Sequence, residues 1–235
     1  MKNMIIASTS TLHGSGYLEY LLDDLASLFK DASEIIFIPY ARPSGISHDD
    51  YTEKVSEAFF KIKKQVKGIH TFENPVTAIK NAEAIFVGGG NTFVLLHQLY
   101  KNNLIPVLKE TVVSGIPYLG TSAGSNICGL TIKTTNDMPI VYPPSFNAIG
   151  LVPFNINPHY LDPDANSKHM GETRETRIQE FHHFNTQPVI GLREGSWLHV
   201  KNKSIILKGD LTARIFEQNK TAYEVVSGTE LNTLK

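Results

Sequence analysis

Short apolar runs alternate with helix-period stretches through the first half of the chain: "MIIAST" (4–9), "EIIFIPY" (34–40), "GIHTFE" (68–73), "AEAIFVGGG" (82–90) and "IPYLG" (116–120). A strand that is apolar at every position is buried on both faces, and helices spaced between such strands cover a parallel sheet. The intervening segments have the period this needs. Leu18, Leu21, Leu22, Leu25 and Leu28 fall on one helical face, and Val55, Phe59 and Ile62 on another near 50–65. Further helices are expected through "FVLLHQLY" and over about 104–114. The fold class is therefore α/β, a mostly parallel sheet covered by helices on both faces. In such sheets ligands gather at the carboxyl ends of the strands.

The pattern then changes. Residues 131–170 are rich in Pro and Asn with little periodicity, and a loop this long in a compact domain is usually functional or disordered. "GETRETRIQEFHHF" resumes as a helix, and "PVIGL", "SWLHV", "SIILKG" and "ARIFE" read as closing C-terminal β strands. Neither an internal repeat nor a low-complexity tract interrupts the chain, and its 235 residues suit a single domain over 1–235.

Composition narrows the class of function. A net charge of -1 offers no global field for nucleic acid or an anionic membrane, so neither is expected as a partner. No apolar stretch approaches the roughly 18 residues of a membrane span, and "MKNMIIASTS" reads as a first strand, not a leader. The lone cysteine, Cys128, cannot form an internal disulfide, which fits a cytoplasmic location. It is expected in the helix after residue 124 as a small buried hydrophobe.

Two glycine-rich stretches stand at predicted strand ends, "GGGNT" (88–92) and "GTSAG" (120–124). The second matches G-x-S-x-G, in which a serine at the apex of a tight strand-to-helix turn is presented for attack, with helix N–H groups available to an oxyanion. An N-cap formed by Thr121 or Ser122 is the plain structural alternative. A nucleophilic Ser122 needs a base and an acid to orient it. Of the nine histidines, His159 in "NINPHY" follows a strand-like segment inside the irregular region, whereas His182 and His183 read as surface or half-buried helix residues. Asp137 in "TTNDMP" and Glu194 in "GLREGSW" are the candidate acids, and either equally suits a turn. "GGGNT" lacks the Lys-Ser/Thr of a phosphate loop, and the histidines show no H-E-x-x-H spacing, so no cofactor or metal is expected.

Taken together, "VGGGNTFVLL", "YLGTSAGSN", "TTNDMPIV", "PPSFNA", "NINPHY", "GETRETRI" and "GLREGSW", in that order, resemble the peptidase E family of alpha-aspartyl dipeptidases, S51 among the serine peptidases. The resemblance implies a class I glutamine amidotransferase-like fold, with serine where those enzymes carry cysteine. It implies Ser122 as nucleophile, His159 as general base and Glu194 as third member, with Asp137 supporting the site or meeting the substrate's ammonium group. Which acid orients His159 stays open. It implies backbone amides of Gly89 or Gly90 and of Ala123 as the oxyanion hole. Arg174 in "GETRE" would hold the aspartyl side chain, with Arg177 the runner-up, and the alternative is a surface arginine paired with Glu175. The expected substrate is a small acidic dipeptide, the expected state a monomer or small homo-oligomer. At Thr121 some members carry a bulky aromatic, a difference expected to affect pocket shape. Other readings are a family relative such as a cyanophycinase, a general esterase, or a non-catalytic binder of acidic metabolites.

Overall fold

In the computed structural model, which describes residues 1–164, 166, 168 and 170–234, the alternating first half folds as a parallel sheet. Its strands are β1 (Asn3–Ala7), β2 (Glu34–Ile38), β3 (Gln65–Gly68), β4 (Ile85–Val87) and β5 (Tyr118–Thr121). A hairpin of β8 (Trp197–Lys201) and β9 (Ser204–Lys208) adds antiparallel to β1, giving the order β3-β2-β4-β5-β1-β8-β9. The expected fold class is observed.

Side-chain alternation along these strands sorts the core into two layers. Ile5 and Ala7 of β1, Phe37, Phe86 and Leu119 face helices α1 (Leu22–Leu28) and α2 (His48–Phe60). Met4, Ile6, Ile38, Val87 and Tyr118 face the opposite way. There they meet α3 (Pro75–Lys80), α4 (Thr92–Lys101), α5 (Leu104–Ser114) and the short α6 (Ala123–Asn126). The same layer receives a second sheet. Its strands β6 (Asn155–Pro158), β7 (Val189–Leu192), β10 (Ala213–Phe216) and β11 (Tyr223–Val225) lie in the order β11-β10-β7-β6. Among the described residues no helix is long and apolar enough to cross a membrane.

Several expectations are corrected. "GIHTFE" is not a strand: β3 lies earlier, over Gln65–Gly68, and Ile69–Thr71 is a 3-10 turn. β3 is an edge strand, paired with β2, so its outer residues are polar and the apolar signal falls on the buried Ile69 beyond it. The helix expected to carry Leu18 to Leu28 on one face is broken at Leu18, which has φ 57, and α1 is reached through a 3-10 turn over Glu19–Leu21. Helix α3, capped by Asn74 and begun at Pro75, and strand β11 are additions. His182 is buried, its Nε2 3.0 Å from the Gln187 carbonyl oxygen. Cys128 lies just beyond α6 and is fully buried, and that burial pushes its thiol up to about 12.

An ionic cluster ties the second sheet to helix α7 (Arg174–Phe181). Arg193 donates to Asp162 and to both carboxylate oxygens of Glu224, and Arg214 joins Glu224 to Glu175 of α7. Partial burial disfavours the Glu224 charge, but donors from Arg193, Thr212 and Arg214 outweigh it and lower the carboxyl from 4.5 to about 2. A group depressed on folding stabilises fully above its unfolded value and loses that contribution as pH falls through the folded one. Wild type is therefore expected to exceed Glu224→Gln in Tm above pH 4.5, with the gap closing towards pH 2. The side chain is 39% exposed, so screening holds the gap to about 1 kcal/mol, roughly 2–4 °C. Thermal melts of both proteins across that window check it; a gap independent of pH contradicts it.

Candidate active site

Strand β5 ends at Thr121 and α6 begins at Ala123, so Ser122 alone makes the corner. Its backbone takes φ 54 and ψ -112, a conformation costing about 1–3 kcal/mol for a residue with a side chain. The surroundings impose it. Ser122 N–H donates to the Ala7 carbonyl of β1, and Ser122 O accepts from Ser125 and Asn126 N–H, each at 2.9 Å. The flanking glycines are required by contact: a Cβ on Gly124 would lie 2.1 Å from the Val87 carbonyl oxygen, and one on Gly120 2.4 Å from that of Gly124. The N-cap alternative is not what forms. Ser122 makes no side-chain capping bond, and Thr121 Oγ1 is buried without a partner among the described residues. The Thr121 side chain is fully buried.

His159 follows the last residue of β6 with φ 53. Its N–H donates to Ser8 Oγ at 2.8 Å, and that buried hydroxyl donates on to the Leu192 carbonyl at 2.7 Å. Strands β6 and β7 run parallel with Pro158 opposite Leu192, so the residues leaving them, His159 and Glu194, emerge side by side. The ring is held between two partners. Nδ1 lies 2.6 Å from Glu194 Oε1, and Nε2 lies 2.8 Å from Ser122 Oγ. Of the two candidate acids, Glu194 is the one on the histidine.

Asp137 does other work. Its Oδ2 accepts from the backbone N–H of Thr92, the first residue of α4, at 2.7 Å, and from Thr135 Oγ1 at 3.2 Å. A carboxylate at a helix N-terminus is favourably placed against the unpaired N–H groups there. Asn136 Nδ2 donates to the Pro158 carbonyl, which ties the Asp137 turn to the strand carrying His159.

The three amides expected around an oxyanion differ. Gly89 N–H is committed to Tyr51 Oη at 3.1 Å. Among the described residues, the N–H groups of Gly90 and Ala123 meet no acceptor. Gly90 has φ 143, and a Cβ there would lie 2.3 Å from the Ala41 carbonyl oxygen, so only glycine brings this loop beside the Ser122 corner. Gly89 itself is packed against that corner, where its Cβ would come within 3.0 Å of Ser122 Cβ.

Arg174 opens α7 behind the N-cap Thr173. Its alternative partner is taken: the Glu175 carboxylate faces Arg214, at 2.8 and 3.1 Å. Among the described residues Arg174 has no ion pair or side-chain hydrogen bond, while its partial burial and the neighbouring Arg177 press its pKa down and Asp137 opposes them. Arg177 is exposed. The sequence reading missed Ser8 and Tyr51. The signal for Ser8 was a small hydroxyl pair, "ST", at the carboxyl end of the first strand; Tyr51 gave none. Among the described residues no three His, Cys, Asp or Glu side chains gather as a metal-binding group.

The profile of peptidase family S51 matches residues 4–208. A curated relative from Streptomyces coelicolor named peptidase E is 46% identical over 99% of this chain and 94% of its own length. One from Drosophila melanogaster, named probable alpha-aspartyl dipeptidase, is 47% identical over 99% of this chain and 97% of its own. Among solved structures, a putative peptidase E protein from Listeria monocytogenes EGD-e superposes with a TM-score of 0.67 at 22% identity, covering 89% of this chain and 98% of its own. A peptidase from an acI-B1 Actinobacterium gives 0.74 at 17% identity, covering 98% and 96%. At such identities these two show the fold alone, the class I glutamine amidotransferase-like arrangement expected above.

Proposed function

Because the chain belongs to peptidase family S51, we propose that it hydrolyses dipeptides with an N-terminal aspartate, using Ser122, His159 and Glu194 as its catalytic residues. The observation carrying this reading is the unbroken line from Glu194 Oε1 through the His159 ring to the Oγ of a serine held at φ 54. The name of the Drosophila relative supplies the substrate class, and Arg174, which has no ion pair among the described residues, supports it.

In this mechanism His159 Nδ1–H donates to Glu194, which leaves Nε2 as the base. Ser122 Oγ gives its proton to Nε2 as it bonds to the aspartyl carbonyl carbon. The developing oxyanion accepts from the N–H groups of Gly90 and Ala123, whereas Gly89 serves by packing and through Tyr51. His159 then passes its proton to the leaving nitrogen as the C–N bond breaks. Water, activated by the same ring, attacks the aspartyl ester and frees Ser122. Arg174 grips the substrate's side-chain carboxylate by a bidentate, charge-assisted pair. Asp137 steadies the loop at α4 and faces the α-ammonium group. The protein works in the cytoplasm as a monomer or small homo-oligomer and uses neither metal nor cofactor.

Hydrolysis of Asp-Leu beside Asn-Leu, Glu-Leu and Ala-Leu tests the reading. Asp-Leu is expected to exceed Asn-Leu and Ala-Leu in kcat/KM by at least about 100-fold, as a site built around a charged partner rejects analogues lacking it, and Glu-Leu, which keeps the charge but adds a methylene, by about 10-fold or more. Cleavage of a β-aspartyl-arginine polymer with Asp-Leu untouched would replace this reading with the cyanophycinase one.

A further inference from the structure

A second cationic site lies on the α1 and α2 face of the sheet, joined to the Ser122 corner through Tyr51 and Gly89. It is a cavity of about 320 Å³ lined by Ser10, Thr11, Tyr17, Arg42, Tyr51 and Lys54, among others. Its size falls at the small end of small-molecule sites, about 300–1,000 Å³.

Three parts of its wall connect to the candidate machinery. Tyr51 Oη accepts from Gly89 N–H, and Gly89 packs on Ser122. Arg42 follows Ala41, whose carbonyl oxygen accepts from Asn91 N–H and is the atom Gly90 must approach without a side chain. Ser10 and Thr11 come two and three residues after Ser8, which holds the His159 backbone. The cavity therefore opens from the same loops that build the site.

Its cations are placed but unspent. Tyr17 and Tyr51 meet edge to face, with ring centroids 6.5 Å apart. The Arg42 guanidinium lies 5.3 Å from the Tyr51 ring centroid and Lys54 Nζ 5.2 Å from that of Tyr17. Among the described residues neither cation has a carboxylate partner or a side-chain hydrogen bond. Aromatic faces attract a cation without neutralising it, so the pair stays available to an anion.

The position says which anion. Tyr17 and Tyr51 belong to the layer of α1 and α2, whereas Arg174 and Asp137 approach from the side of α7 and α4. A dipeptide with its acyl side chain on Arg174 directs its other half away from it, across Ser122. That half ends in an α-carboxylate one residue from the scissile bond. We propose that this cavity receives the leaving residue, with Arg42 and Lys54 holding its α-carboxylate, so that the site selects for a free C-terminus directly after the cleaved bond. The proposal rests on the aspartyl dipeptidase reading above.

The readout is the ratio of kcat/KM for Asp-Leu to that for Asp-Leu-amide, which removes the charge and little else. Wild type is expected to favour the free acid by about 10-fold or more, as a charge-assisted contact supplies. In Arg42→Gln and in Arg42→Gln/Lys54→Gln the ratio is expected to fall towards one, and Arg42→Lys to recover part of it. A ratio near one in wild type, or one unchanged by the substitutions whatever happens to the absolute rates, overturns this proposal while Asp-Leu turnover keeps the dipeptidase reading. A wild type that cleaves neither compound removes both. Melting temperatures of the variants identify a loss of folding, and the ratio is read on the folded protein in each case.

Discussion

Ser122→Ala is expected to lower kcat for Asp-Leu by about 10⁴–10⁶-fold, as loss of a serine nucleophile does where the rest of the site survives. The effect falls on kcat because the missing atom is the one that bonds to the carbonyl carbon. KM is expected to stay within about threefold, since Arg174 and the amides of Gly90 and Ala123 are untouched. The fold is expected to persist for a reason specific to this corner. Alanine carries the same Cβ through φ 54, the Gly120 and Gly124 contacts do not change, and the backbone bonds from Ala7, Ser125 and Asn126 need no hydroxyl. The structural loss is one hydrogen bond to a partly exposed His159 ring, about 1 kcal/mol. Steady-state kinetics and a thermal melt check both halves. Retention of more than about 1% of wild-type kcat would mean that another group carries the acyl step.

The elbow was legible because its demand is local. A strand and a helix meeting at one residue need glycine on either side, and Gly120 and Gly124 have backbone within the reach of a Cβ. The parallel sheet was legible for a similar reason, since burial on both faces writes itself into each strand as an apolar run. What could not be read were relations between elements. Glu194 and Asp137 both follow strands in turn-like segments, and spacing gives neither an advantage. The choice is made by the pairing of β6 with β7, which sets Pro158 opposite Leu192 and brings Glu194 to the ring, while the turn after Thr134 places Asp137 against α4. Ser8 and Tyr51 act through the same kind of register: one hydroxyl bridges β7 to His159, the other occupies Gly89 N–H. The "ST" pair after the first strand marks Ser8 as a small hydroxyl at a strand end but does not say that His159 is its partner, and nothing along the chain marks Tyr51. The strand misplaced at "GIHTFE" failed for another reason. An edge strand carries polar residues outward, so the apolar count peaked one step too late.

Arg174→Met is expected to lower kcat/KM for Asp-Leu by about 10²–10³-fold and to bring Asn-Leu up to parity with it. Methionine keeps the apolar stem and helix propensity of arginine and removes the one feature that separates the two substrates, the charge facing the β-carboxylate. Stability is expected to hold or rise. Arg174 makes no ion pair among the described residues, and partial burial beside Arg177 already disfavours its charge, so the folded protein bears a cost that substrate relieves. A purely structural arginine would behave the other way, losing Tm while leaving the Asp to Asn ratio alone. The neighbouring Glu175–Arg214 pair holds α7 in place and is unaffected by the substitution. Arg174→Lys is expected to restore the preference for aspartate in part, because a point charge replaces a bidentate fork. Should Arg174→Met keep the full preference for Asp-Leu, the aspartyl side chain is read by a different cation, and the exposed Arg177 on the same helix is the next to replace.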